Sequence, residues 1–212
     1  MPHGRLITIE GIDGAGKTTL TRTLAAAIAE RGIEVVALRE PGGVGLAERL
    51  RDVVKDPALA IGPRAEALLY AAARAQTVTE AVVPALAAGR WVLLDRFVDS
   101  SLAYQGAGRQ LGVAAVRRVN EFATGGVEPD RTLLLAVSVA TGRARQDSRG
   151  GAADRLERES EAFFERIDAG YRALAAAEPG RIRVLDASVP AAALLAAALD
   201  ALADLLGGGR DA

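Results

Sequence analysis

Gly11-Ile12-Asp13-Gly14-Ala15-Gly16-Lys17-Thr18, followed by Thr19, stands directly after the apolar run Leu6-Ile7-Thr8-Ile9 and before a long Ala/Leu/Thr stretch. This is the G-x-x-x-x-G-K-[ST] pattern in the setting that gives it meaning, a strand, a glycine-rich turn and then a helix. Gly11, Gly14 and Gly16 let the backbone curl until its amides converge on a polyphosphate. Lys17 neutralises the terminal phosphates, and the Thr18 hydroxyl suits the Mg²⁺ that accompanies them. Residues 11–19 are therefore expected to bind a nucleoside triphosphate. A chance loop ahead of a helix is the alternative, and the flanking strand and helix patterns argue against it.

Outward from this loop, short β-rich runs alternate with longer helical patterns. Strands are expected at Leu6 to Ile9, Glu34 to Leu38, Trp91 to Leu94, Thr132 to Val137 and Ile182 to Leu185, each near-continuously apolar, as in strands buried on both faces. Helices are expected over Thr19 to Arg31, Leu46 to Val54, Arg64 to Ala88, Val113 to Thr124 and Ser160 to Ala177. The alternation predicts an α/β fold, a doubly wound parallel sheet of these five strands with helices on both faces. Gly32 and Gly89 stand where helix C-caps belong. Ala191 to Leu206 carries Leu195, Leu199, Leu202 and Leu206 at helical spacing and is interrupted by Asp200 and Asp204. It reads as a packed surface helix, not a membrane span. No repeat or linker divides the chain, so one domain over residues 1–212 is expected.

At 212 residues the chain can bury roughly 70% of the surface its unfolded form exposes. Half of it is hydrophobic, a quarter is charged and the formal net charge is −1. No basic excess calls for nucleic acid or an anionic membrane, and neither is expected as a partner. The absence of cysteine excludes disulfides and thiolate metal sites and suits a cytoplasmic location. The apolar run before Glu10 is too short for a signal-peptide core, and His3 in the N-terminal tail supports no metal or acid–base role. The stretch Thr141 to Glu159 has few apolar residues but contains Arg143, Arg145, Arg149, Arg155, Arg158 and Gly150-Gly151. It reads either as a solvated loop or as a mobile lid over the phosphates.

A phosphate loop alone does not separate kinases from GTPases or from motor and transport ATPases. Arg39-Glu40-Pro41-Gly42-Gly43 ends the second strand, Asp95-Arg96-Phe97 ends the third, and Ser100-Ser101-Leu102-Ala103-Tyr104-Gln105-Gly106 follows. Asp154-Arg155-Leu156-Glu157 closes the arginine-rich segment. Together these motifs resemble the bacterial thymidylate kinases, P-loop nucleoside monophosphate kinases, from about Leu6 to Ser188. The resemblance implies a P-loop NTPase type of fold with a short arginine-rich lid at about residues 141–159. It also implies transfer of the γ-phosphoryl of ATP to dTMP, giving dTDP and ADP for dTTP biosynthesis, with Mg²⁺ as cofactor and a homodimeric assembly.

Several residues have a physical reason of their own. Asp95 and Arg96 come at the mouth of a buried strand, on the edge where such sheets bind ligands. Arg96 offers a planar fork of donors for a phosphate monoester, or else a surface salt bridge, and Asp95 suits an outer-sphere contact to Mg²⁺ beside Thr18. Arg39 ends another strand at the same edge and either faces the phosphates or pairs with Glu40 or Glu48. Tyr70 and Arg74, four apart on a helix, share a face. They either stack on a base and donate to its edge, or are a core tyrosine and a solvated arginine. Asp13 beside bound anions needs a donor such as a sugar hydroxyl, or else braces the loop or caps the helix. Arg51 reaches the acceptor phosphate or faces solvent.

The resemblance assigns roles to these positions. It implies that Arg96 grips the 5′-phosphate of dTMP, that Tyr70 replaces the usual phenylalanine under the base, and that Arg74 bonds the base O4. Ser101 and Gln105 are implied as further base contacts, Tyr104 as the ring that excludes a ribose 2′-hydroxyl, and Asp13 as the partner of the 3′-hydroxyl. With glycine at Gly14, a catalytic arginine from the lid is implied beside Lys17 and Arg96, Arg149 first and Arg145 second. Val44 and Ala136 depart from the family's usual threonine and acid.

Overall fold

The computed structural model describes residues 4–148, 150 and 154–207. In chain order the elements are β1 (Leu6–Glu10), α1 (Lys17–Ala29), β2 (Val35–Arg39), α2 (Gly45–Lys55), α3 (Pro63–Thr77), α4 (Val83–Ala87), β3 (Trp91–Asp95) and α5 (Val98–Ser101). There follow α6 (Val113–Thr124), β4 (Arg131–Ala136), α7 (Val139–Ser148), α8 (Glu161–Ala177), β5 (Ile182–Asp186), α9 (Ala191–Asp200) and α10 (Ala203–Gly207). The five strands are parallel, in the order β2-β3-β1-β4-β5.

Register places the site. Ile9 and Arg39 both lie opposite Asp95, so the chain leaves β1, β2 and β3 at one level. Two bonds carry the ladder one step further: Glu40 N donates to Asp95 O at 2.9 Å, and Arg96 N to Ile9 O at 3.0 Å. Glu10, Glu40 and Arg96 are thereby brought side by side at the carboxyl edge of the sheet, where open α/β sheets bind ligands.

Alternating side chains divide the core between two clusters. Ile7, Ile9, Leu93 and Leu133 pack with Leu20, Leu24 and Ile28 of α1 and with Phe163, Ile167 and Tyr171 of α8. Leu6, Val92 and Leu94 pack instead with Val78, Val82, Ala85 and Phe97. Helices thus cover both faces, as the sequence predicts. Burial on both faces holds for β1 and β3 but not for β2 and β5, which are partly exposed because the strand order puts them at the sheet edges.

Three expectations need correction. The run Arg64 to Ala88 is not one regular helix, because a π-helical turn, Val78–Val82, separates α3 from α4. Pro84 has no N–H to offer the preceding turn, and the wider turn lets Val83 N–H reach Val78 O while Val78 and Val82 stay buried. Ala191 to Leu206 is likewise divided, into α9 and α10 by a turn at residues 201–202.

The arginine-rich stretch is also more ordered than a loop, since α7 occupies its first half. Among the residues of α7 only Gly142 is buried, against the phosphate loop. A β-carbon at Gly14, whose φ is +79°, would lie 2.1 Å from Gly142 O, and one at Gly142 would lie 2.7 Å from Asp13 O. Glycine at both positions permits this backbone approach. After Gly150 the chain docks on α2, with Arg155 Nε donating to Val54 O at 2.9 Å and Lys55 pairing with Asp154 at 2.7 Å.

Candidate active site

A cavity of about 310 Å³ opens at the carboxyl edge of the sheet. Its walls are the phosphate loop, the turn after β2, α3, the chain after β3, and the segment around Asp154 and Glu157. Of the expected triphosphate-binding residues, Asp13, Gly14, Gly16, Lys17, Thr18 and Thr19 line it. Gly11, Ile12 and Ala15 do not, and Ile12 and Ala15 are packed into the core.

At the loop's end, Lys17 Nζ donates to Ile12 O at 2.8 Å, and burial, then the nearby Arg96, pushes its ammonium down to about 8. Thr18 Oγ1 donates to Asp95 Oδ2 at 2.7 Å, so the two oxygens expected to serve a magnesium ion converge. Among the described residues no three acidic or histidine side chains are grouped for a metal. A hydroxyl and one carboxylate still fit Mg²⁺, which keeps water and takes substrate phosphate oxygens as its remaining ligands.

Arg96 sits opposite, in a left-handed backbone conformation with φ 72°. For a side chain with a β-carbon that conformation costs about 1–2 kcal/mol. Its guanidinium is held from three sides. Nη1 donates to Gly11 O at 3.1 Å and Ser100 Oγ at 3.0 Å, and Nη2 donates to Asp13 Oδ1 at 2.6 Å and the Tyr104 hydroxyl at 3.2 Å. Tyr104 donates in turn to Asp13 Oδ2 at 3.0 Å. Burial opposes ionisation of Asp13, but Arg96 and then Lys17 outweigh it and hold the carboxyl well below the usual carboxylate range. Asp13 does not cap α1, whose N-cap is Gly16 with no side-chain bond.

On the third side, the expected alternative for Tyr70 and Arg74 is reversed. Tyr70 is half-buried and lines the cavity, while Arg74, also lining it, is 2% exposed. Arg74 Nε donates to Glu40 at 2.7 Å, Nη1 to Ser101 Oγ at 2.9 Å and to Asn120 Oδ1, and Nη2 to Phe97 O at 2.9 Å. Gln105 Nε2 donates to the buried Glu66 at 2.9 Å, and Glu66 also pairs with Arg109 and Arg155. Ser101, Tyr104 and Gln105 all line the cavity.

The remaining expected residues stand at the rim. Arg39 pairs with Glu48 at 3.0 Å, not with Glu40, and Arg51 donates to Pro41 O at 2.8 Å; both line the cavity. Arg145 lines it as well and donates to Ala187 O at 2.9 Å. Arg143 turns away, its guanidinium 4.9 Å from the Phe164 ring centroid. Arg149, expected first among the lid arginines, lies outside the described residues. Val44, the N-cap of α2, supplies no side-chain bond, and Glu48 instead accepts the Gly43 N–H at 2.8 Å.

The sequence gives no role to Glu10, Glu66 or Asn120 and offers Glu40 only as a partner for Arg39, whereas all four are buried partners of the site's cations and hydroxyls. Nor did it assign Lys55, Asp154 and Glu157, which line the cavity. The Asp154-Arg155-Leu156-Glu157 motif was the available signal for the last two.

The thymidylate kinase family model matches residues 9–197. A thymidylate kinase of Bordetella pertussis is 47% identical over 189 residues, covering 89% of each chain. One of Methylococcus capsulatus is 45% identical over 208 residues, covering 98% of this chain and 99% of the relative. A crystal structure of thymidylate kinase from Ehrlichia chaffeensis superposes with a TM-score of 0.77 at 29% identity, over 95% of this chain and 99% of that one.

Proposed function

The chain belongs to the thymidylate kinase family, and from that premise we propose which of its residues bind each substrate and how they promote transfer. The reaction is transfer of the γ-phosphoryl of ATP to dTMP, yielding dTDP and ADP. The observation that carries the assignment is the position of Asp13. It belongs to the phosphate loop yet bonds Arg96 and Tyr104, so donor and acceptor groups share one cavity.

ATP phosphates lie along residues 11–19, and dTMP lies between Tyr70, Arg74, Arg96, Ser101, Tyr104 and Gln105, with Arg39 and Arg51 at its phosphate end. Tyr70 stacks on the base, Arg74 donates its remaining N–H to the base edge, Tyr104 fills the space of a 2′-hydroxyl, and Asp13 accepts from the 3′-hydroxyl. When bound, Mg²⁺ at Thr18 and Asp95 neutralises charge on the triphosphate.

In the chemical step an oxygen of the dTMP phosphate bonds to the γ-phosphorus while the bond to the β–γ bridging oxygen breaks and ADP leaves. The acceptor is already an anion at neutral pH, so no general base is required. What the chain supplies is alignment and positive charge: Lys17 on the donor, Arg96 on the acceptor, and an arginine of α7 or the residues after it, Arg145 or Arg149, on the moving group. Isothermal titration of dTMP without nucleotide tests the division of labour. Saturable binding is expected in the unmodified protein and in Lys17→Ala, and is expected to weaken about 100-fold in Arg96→Ala. Equal weakening in both variants contradicts the assignment.

The assembly we propose is a homodimer in the cytoplasm. α3 turns an apolar stripe of Ala65, Leu68 and Ala72 outward, with Leu68 58% exposed, and the neighbouring α2 and α6 expose Leu46, Val53 and Phe122. Such a face suits packing against a second copy. Among the described residues no helix is long and apolar enough to cross a membrane. Leu68→Glu is expected to convert a dimer into a monomer in sedimentation velocity; an unchanged dimer rejects this face.

A further inference from the structure

Arg96 carries its role in a backbone conformation that few side chains adopt, with φ at 72°, and such a conformation persists only where the surroundings impose it. Its own side-chain bonds fix the guanidinium, not the chain. The chain after Arg96 is held by Glu10, the last residue of β1. Glu10 Oε1 accepts the N–H of Phe97 at 2.7 Å and of Ser100 at 3.2 Å, the N-cap and the third residue of the helix that starts at Val98, whose first-turn amides have no partner within the helix. Glu10 Oε2 accepts the Ser100 hydroxyl at 2.5 Å and the Tyr171 hydroxyl at 3.0 Å. Ser100 Oγ in turn accepts from Arg96 Nη1 at 3.0 Å, so a single atom separates the carboxylate from the guanidinium. Glu10 is 0% exposed and does not line the cavity, so it touches neither substrate.

We propose that Glu10 is a positioning residue for phosphoryl transfer: it grips the backbone beyond Arg96 and, through Ser100, the guanidinium itself, and so aims Arg96 at the acceptor phosphate. The proposal rests on the assignment of that phosphate to Arg96. Burial, with the Asp99 carboxylate adding to it, pushes the Glu10 carboxyl up to about 7, which fits a group retained for its bonds at the expense of its solvation.

A double-mutant cycle tests it. Glu10→Gln keeps an acceptor for both amides but turns a donor toward the Ser100 and Tyr171 hydroxyls. In the otherwise unmodified protein it is expected to lower kcat/KM for dTMP by about 10- to 100-fold while leaving KM for ATP unchanged. In the Arg96→Ala background the same substitution is expected to cost little, because the group it positions is gone. Equal loss in both backgrounds, or an equal rise in KM for both substrates, overturns the proposal. An Arg96→Ala variant with unaltered dTMP kinetics instead overturns the Arg96 assignment, a failure distinct from that of Glu10. Should Glu10→Gln fail to fold by circular dichroism, Ser100→Ala, which removes the bridging hydroxyl alone, enters the same cycle with the same expected and contrary results.

Discussion

Lys17→Ala is expected to lower kcat by on the order of 10³-fold with every acceptor offered, without unfolding the protein. The two halves of that expectation have different causes. Lys17 is the cation of the phosphate loop, so the loss falls on charge stabilisation at the transferring phosphates and not on acceptor recognition. Its stability contribution is small because, among the described residues, its Nζ has one hydrogen bond, to Ile12 O, and because burial already disfavours its charge, moving its pKa down to about 8. Removing a cation that the fold holds at a desolvation cost does not leave a buried carboxylate unpaired, since Asp13 keeps Arg96 and Asp95 keeps Thr18. Initial rates with dTMP and with dUMP, the two acceptors expected to turn over, beside a thermal melt, check both halves. Loss confined to dTMP would contradict the donor-side role.

The second large effect is structural as well as functional. Arg74→Ala is expected to destabilise the protein by about 3–5 kcal/mol, the cost of breaking a buried ion pair from one side. Among the described residues Glu40 would then have no paired cation, and its other oxygen, Oε1, already lacks a partner. The size of the deficit should depend on pH. Burial pushes Glu40 up to about 7, with Arg74 pulling it back, so loss of Arg74 raises it further. A carboxyl whose folded pKa is raised penalises folding above that pKa. The penalty fades as pH falls through the folded value toward the unfolded 4.5. Urea unfolding is therefore expected to give a larger deficit at about pH 8 than at about pH 6. At a pH where the variant is folded, dTMP binding should weaken far more than ATP binding. Equal weakening of both ligands would remove Arg74 from the base pocket.

What the sequence could reveal is local. The phosphate loop, the strand ends and the pair Tyr70 and Arg74 are legible because each signal lies within a few residues, and parallel pairing then carries Glu10, Glu40 and Arg96 to one edge. The counter-ions are not legible, because their partners are remote. Glu10 meets Phe97 and Tyr171 across 87 and 161 residues, and Arg74 meets Glu40 and Asn120 across 34 and 46. Without those partners Arg74 reads as an arginine that water could solvate, which is the opposite of its burial. Helix α7 was hidden for another reason: only Gly142 among its residues is buried, so no apolar periodicity marks it. The π-helical turn before Pro84 left no signal beyond the proline, since its residues continue the apolar pattern of α3.

This cavity is proposed to join a nucleotide donor to a thymine deoxynucleotide acceptor. The most direct test is ADP formation from Mg·ATP with dTMP, dUMP, UMP, AMP and dGMP supplied separately, beside an acceptor-free control. Turnover is expected to be strongest with dTMP, weaker with dUMP by the worth of one methyl group, about 1–3 kcal/mol, and negligible with UMP, AMP and dGMP. Preferred turnover with UMP or a purine monophosphate, or ATP binding with transfer to none of them, would contradict it.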